Sequence, residues 1–243
     1  MINTLNESSL HKTLKQIYSA DEGLKTEVNV GKWICDIVNE KSGQVIEIQN
    51  TNVSKLKEKI EGLLSLGKKV KVVHPVIIEK TIETYDGNGK LLSKRKSPKK
   101  ESIYSIFRQI TALTDILLNK NFTLEIPEIS AIELRIITES PVQVKNKARH
   151  HLKSWLKTDK KLSQIYNTWT FTCAKDYLNL LPQYNLKDKE LQNDFTVKQT
   201  QTLLKNLQNL KNETSIMIWV LKKMDIIEET YKEKREIHYK INI

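Results

Sequence analysis

Only two cysteines, Cys35 and Cys173, occur in 243 residues, too few for a disulfide framework or, alone, a zinc cluster. A reduced, cytoplasmic protein is the expectation that follows. No stretch approaches the ~20 apolar residues of a membrane span, and the opening MINTLNESSLHK lacks the apolar core of a signal peptide. Internal repeats and low-complexity tracts are also missing. Membrane, secreted, fibrous and zinc-finger classes are set aside on these grounds. What remains is a chain with 39% hydrophobic and 28% charged residues. It can bury a core and is long enough for one large domain or two small ones.

Acidic charge is in deficit: Lys+Arg 40 against Asp+Glu 29 leaves +11. The excess is uneven, with 21 basic and 17 acidic residues over 1–138 but 19 and 12 over 139–243. That concentration favours a polyanionic partner, DNA foremost. The competing explanation is compositional, a chain rich in Lys, Asn and Ile and poor in Arg.

Leu10, Leu14, Ile17 and Tyr18 recur at helical spacing and predict a helix over 8–19, capped by Ser8 or Ser9. Strands are predicted over 24–30, 33–38 and 44–49. The turn-rich Asn39-Glu40-Lys41-Ser42-Gly43 joins the last two as a hairpin. An amphipathic helix over 52–66 carries Val53, Leu56, Ile60, Leu63 and Leu64, with Gly67 at its C-cap. A buried strand over 69–76 follows. Beyond it come a hairpin turning at Asp86-Gly87-Asn88-Gly89, an exposed basic loop at 94–100, a helix over 103–118, and strands over 122–126 and 131–138. The polar, basic stretch 139–164 reads as a linker with one helix. Helices are then expected over 168–182, from 195, and over 212–224, before a terminal hairpin around Lys232-Glu233-Lys234-Arg235.

The chemistry concentrates in Trp33-Ile34-Cys35-Asp36-Ile37-Val38 and Val45-Ile46-Glu47-Ile48-Gln49. Strand alternation puts Glu47 and Gln49 on one face and Ile46 and Ile48 on the other. A loop centred on Lys41 and Ser42 sets Asp36 opposite Glu47, with Cβ atoms ~4.5–5.5 Å apart. Two carboxylates that close repel unless a proton or a cation intervenes. A hard divalent ion resolves the conflict, and Mg²⁺ (or Mn²⁺) suits it. A water held by such an ion can attack a phosphodiester, with Gln49 orienting the water or a phosphate oxygen. The competing possibility is a solvated face of surface carboxylates, an expensive use of charge between apolar strand residues.

The string Asp36-x₁₀-Glu47-x-Gln49, set in the order helix, three strands, helix, strand, resembles the PD-(D/E)XK nuclease superfamily over residues 10–76. The resemblance implies an α/β fold with a restriction endonuclease-like αβββαβ core and a mixed sheet. It also implies a metal-dependent deoxyribonuclease, with Asp36 as the metal-binding Asp and Glu47 as the acidic residue of the (D/E)-x-K element. Gln49 stands where Lys is usual. Glu27 on the neighbouring strand is a candidate third ligand. His11 and Lys15, one turn apart, occupy the place of an auxiliary polar pair. Lys55 and Lys59, at i and i+4 on the second helix, are candidates for DNA phosphate or an ordinary solvated face, and Lys94 and Arg95 extend the basic surface.

Residues 165–243 resemble a winged helix–turn–helix, with the recognition helix over 212–224 and Lys234 and Arg235 at the wing tip. Lys222 and Lys223 flank that helix as phosphate contacts. The expected organisation is therefore a nuclease-like unit over 1–138, the linker over 139–164, and a mainly α winged-helix unit over 165–243. The reading is a Mg²⁺-dependent DNA endonuclease of restriction or repair. Its rival is a catalytically inactive nuclease-fold protein that binds DNA or regulates. Nucleases that cut both strands with one site per chain commonly dimerise, so a homodimer is a modest expectation.

Overall fold

The computed structural model describes residues 7–142, 152–185, 194–205 and 210–242. It is α/β, with a mixed eight-stranded sheet, a separate three-stranded sheet and several helices. Helix α1 (Ser9–Tyr18) is capped by Ser8, whose hydroxyl accepts from the His11 N–H, and buries Leu10 and Leu14. Ile17, expected in the same stripe, is exposed. Strands β1 (Leu24–Val30), β2 (Trp33–Asn39) and β3 (Gln44–Ile48) form an antiparallel meander. A 3₁₀ turn (Val53–Leu56) leads into α2 (Lys57–Ser65), and Gly67, at φ +71°, ends it in the left-handed turn expected there. The chain then returns as β4 (Lys69–Val73), parallel to β3.

Past β4 the sequence expectations need correction. The hairpin of β5 (Val76–Tyr85) and β6 (Leu91–Lys96) turns at Asp86, whose carboxylate accepts from the N–H groups of Asn88 and Lys90. Lys94–Lys96, expected in a loop, complete β6 because they pair with Thr81–Glu83. The helix expected over 103–118 is broken into a 3₁₀ turn, the short α3 (Ile106–Gln109) and a second 3₁₀ turn. The two strands expected over 122–138 are one long strand, β7 (Phe122–Val142). Pro127 falls where its parallel partner β4 stops, at Glu125, and β5 takes over, at Glu128. The supposed linker over 139–164 is instead the end of β7 and most of β8 (Lys153–Phe171), which pairs antiparallel along β7. Residues 143–151 of that stretch lie outside the described residues. The strand runs into the expected helix over 168–182, leaving only α4 (Ala174–Leu178) and a 3₁₀ turn.

The C-terminal elements are β9 (Phe195–Thr196), α5 (Val197–Leu203), α6 (Leu210–Lys223) and the hairpin β10 (Ile227–Glu233) and β11 (Glu236–Ile241), with sheet order β10-β11-β9. Thr196 and Gln199 close a reciprocal capping box on α5.

Each face of the large sheet has its own core. On one, Leu10 and Leu14 of α1 pack with Ile37, Ile46, Ile48 and Val73. On the other, Ile60 and Leu63 of α2 pack with Val45, Val70, Phe107 and Leu124. The second cluster continues without a break into Tyr177, Met217, Val220 and Leu221. Among the described residues no helix is long and apolar enough to cross a membrane.

Candidate functional site

The β2–β3 register is the one that centring the turn on Lys41 and Ser42 predicts: Asn39, Val38 and Ile37 pair with Gln44, Val45 and Ile46. One step further the two side chains replace the ladder. The Asp36 N–H donates to Glu47 Oε1 at 3.3 Å, and the Ile48 N–H donates to Asp36 Oδ2 at 2.9 Å. Alternation also slips here, because Cys35 and Ile37, two residues apart, enter the cores on opposite faces. On the other side of Asp36, Glu27 takes a left-handed φ of +55° between the paired residues Thr26 and Val28. A non-glycine residue held there stores strain.

The two carboxylates consequently meet different helices. Glu47 is 3% exposed on the α2 side, and Lys59 Nζ lies 2.6 Å from its Oε2 and 2.6 Å from the Ile34 carbonyl. Asp36 faces α1, with Lys15 Nζ at 3.4 Å and His11 Nε2 at 3.8 Å from Oδ1. The Ser9 N–H and hydroxyl both donate to Asp159 of β8, which pins the start of α1 and adds a negative charge at its positive end. Glu7 completes this side, 3.4 Å from His11 Nε2 and 3.1 Å from Lys15 Nζ.

These surroundings drive the two acids apart. Burial raises the Glu47 carboxyl, Lys59 pulls it back and Asp36 pushes it up, leaving it at about 7. Burial acts the same way on Asp36, but His11, the Ile48 N–H and Lys15 outweigh it and the net shift is downward. The Cys35 thiol, pushed up to about 12 by burial and then by Glu47, is no nucleophile. Cys173 is exposed.

Other expected residues fall elsewhere. Glu27 bonds to Lys15 rather than joining Asp36 and Glu47. The Gln49 amide donates to the carbonyls of Thr51 (2.5 Å) and Asn52 (3.3 Å), bracing its own loop. Lys59, grouped with Lys55 as a phosphate or solvent contact, turns inward onto Glu47, while Lys55 is exposed. A signal for this was present: Lys59 is i+3 from Leu56 and i−4 from Leu63, on the margin of the apolar stripe. Lys94 pairs with Glu83 at 2.9 Å, and Lys222 with Glu229 at 2.5 Å. Arg95, Lys223, Lys234 and Arg235 are exposed, Lys223 lying over the Trp219 ring.

Three donors, one each from Glu7, His11 and Asp36, lie within 4.8 Å of one another. Among the described residues, His11 Nε2 is buried there with no hydrogen-bond partner at normal distance. A mixed carboxylate–imidazole set of this kind suits Mn²⁺, and Asp36 is the residue it shares with the Asp36–Glu47 pair. Glu7 and the β8 residues were missed because nothing local ties them to the motif.

Residues 8–172, from α1 to β8, match the model of a domain of unknown function (DUF8091). An uncharacterized protein of Treponema pallidum (strain Nichols) is 30% identical over 186 residues, 75% of this chain and 70% of that protein. No solved structure matches the chain significantly. The chain belongs to the DUF8091 family.

Proposed function

We propose that this protein is a metal-dependent DNA endonuclease of the PD-(D/E)XK kind, with Asp36 and Glu47 as its acidic pair. The observation that carries the reading is the reciprocal bonding of these carboxylates where the β2–β3 ladder ends, each with a lysine beside it. A buried Glu47 beside a half-buried Asp36 is a costly choice at a point where backbone carbonyls would serve as acceptors. A divalent ion held there would stabilise charge on the phosphate and activate water. The protein's own residues supply the rest. Lys59 orients Glu47 and brings the positive charge that Gln49 lacks, Lys15 and His11 orient Asp36, and Gln49 fixes the loop beside them.

The C-terminal order of strand, two helices and hairpin supports a winged-helix reading. Ser215, Trp219 and Lys223 line the exposed side of α6, and Lys234 and Arg235 occupy the hairpin tip. Together with Arg95, they form the surface we assign to DNA.

One observation favours a second reading, a catalytically silent DNA-binding relative. Lysines already neutralise both carboxylates, and Gln49 is committed to its own backbone. The two readings separate when wild type and Glu47→Ala are incubated with supercoiled, linear and branched DNA in Mg²⁺, Mn²⁺ or EDTA. Metal-dependent cutting by the wild type alone supports the nuclease; binding without cutting on any substrate supports the silent relative.

A further inference from the structure

Strand β8 brings Lys157 and Lys160 beside the carboxylate site, and neither ammonium has an ion-pair partner among the described residues. Lys160 has a particular position. It lines both the groove of about 290 Å³ that holds Glu7, His11 and Gln49 and a more enclosed cavity of about 510 Å³ beside it. Asn50 and Thr51 line both as well, so the two spaces are neighbours that share a wall. Within the larger cavity, Arg108 is paired with Glu213 at 3.3 Å and Lys99 with Glu101 at 3.5 Å. Among the described residues, Lys100 and Lys160 are left without an ion pair. Burial and the charges of Lys157 and Lys80 depress the Lys160 ammonium, while Glu101 and Glu133 attract it only from beyond ion-pair distance. A half-buried cation in that setting is stabilised by an incoming anion.

We propose that Lys160 and Lys100 form a phosphate subsite, and that the cavity takes one phosphorylated nucleoside. The volume lies in the range of small-molecule sites. The lining of Thr51, Ser102, Ser105 and Gln109 offers hydrogen bonds to a sugar and base, beside an apolar wall of Leu10, Pro75 and Ile77. The source of the ligand rests on the nuclease reading: a nucleotide of a strand whose scissile phosphate lies at Asp36 and Glu47. A free nucleotide has the same chemistry.

The test uses the full chain in EDTA, so that binding is measured without cleavage. Anisotropy of a labelled single-stranded oligonucleotide is followed for wild type, Lys160→Gln and Lys160→Arg, with AMP and inorganic phosphate as competitors. Lys160→Gln is expected to weaken binding about tenfold and to reduce the slope of log affinity against log salt by about 0.7, one phosphate contact on a single strand. Lys160→Arg restores both, and AMP competes at lower concentration than phosphate. If AMP binding alone depends on Lys160, the site takes a free nucleotide. Wild-type affinity and slope for every ligand in Lys160→Gln, or no recovery in Lys160→Arg, overturns the subsite. Failure of the nuclease reading is seen separately, as Lys160-dependent binding by a protein that cuts no DNA when metal is added.

Discussion

Lys59 donates to Glu47 from α2, the helix that follows Gln49, which stands just past the end of β3. The positive charge of the site therefore arrives from the helix, and Gln49 is free to brace the loop. On the proposed nuclease reading, Lys59→Met should lower kcat/KM for metal-dependent DNA cleavage by about 10²–10³, the usual cost of removing a preorganised electrostatic group. Gln49→Ala should cost less than about tenfold, and Lys59→Arg should retain part of the activity. A larger loss in Gln49→Ala than in Lys59→Met would return the central role to position 49.

The Glu47 carboxyl, held up to about 7 from an ordinary 4.5 chiefly by burial, links stability to pH. Between these values the folded protein keeps a proton that the unfolded chain has lost. This group's contribution therefore falls as pH rises through that window. Glu47→Gln cannot ionise, so its stability relative to wild type should climb from pH 4.5 to 7 and level off above. At 1.36 kcal/mol per unit the climb is on the order of 3 kcal/mol. Urea unfolding of both proteins at four pH values gives the difference curve, and a flat curve would contradict the assignment.

His74 adds a slope of opposite sign. It is 6% exposed, burial depresses its pKa, and its Nδ1 meets the Gln49 carbonyl at 2.5 Å. The unfolded chain takes up a proton below the ordinary value of 6.5 before the folded one does. Stability from His74 is thus complete above that value and lost as pH falls. His74→Gln should weaken the acid-side loss of stability and cost about 1–2 kcal/mol at pH 8, if the Gln49 carbonyl loses its partner. An unchanged acid limb in the same urea series would rule this out.

The meander, α2 and the β2–β3 register were legible because each is local. Alternation, a turn of five residues and a helical stripe capped by Gly67 suffice. Other features were hidden because they are set by distant partners. Lys153–Phe171 carries little apolar periodicity, and it is a strand because β7 offers it a ladder along its length. The 103–118 segment has a helical stripe, yet it breaks into short turns that bury Ile106, Phe107, Ile110 and Leu113 together. Glu27 belongs with these features: strand alternation does not foresee a left-handed residue that hands its carboxylate to Lys15.

Phe107 and Leu221 are both fully buried in the cluster that joins the α2 face of the sheet to the C-terminal helices. Arg108, next to Phe107, pairs with Glu213 of α6 at 3.3 Å. Parts that share one core unfold together. Phe107→Ala should cost about 3–5 kcal/mol and Leu221→Ala about 2–5, and each should lower the midpoint of a single calorimetric transition. Two separated transitions in the wild type, only one of which moves in each variant, would show two independent cores.

The metal set distinguishes what the strand pattern suggested from what the folded chain brings together. Glu27 was the expected third ligand, but it is bonded to Lys15, and Glu7, His11 and Asp36 supply the converging donors. His11 Nε2 is the donor with most to gain from an ion, since it is buried and the nearest oxygens of Glu7 and Asp36 stand at 3.4 and 3.8 Å. Coordination by a divalent ion would satisfy it, and its loss would remove a ligand outright. Mn²⁺ titrated calorimetrically into the metal-free protein should bind at least about tenfold more weakly to His11→Ala and Glu7→Gln than to wild type. Glu27→Gln should bind nearly as the wild type does, because its carboxylate serves to hold Lys15. Equal losses in Glu27→Gln and Glu7→Gln would move the ion to the β1 side of Asp36. No loss in His11→Ala would leave the ion to the oxygens of Asp36 and Glu47 alone.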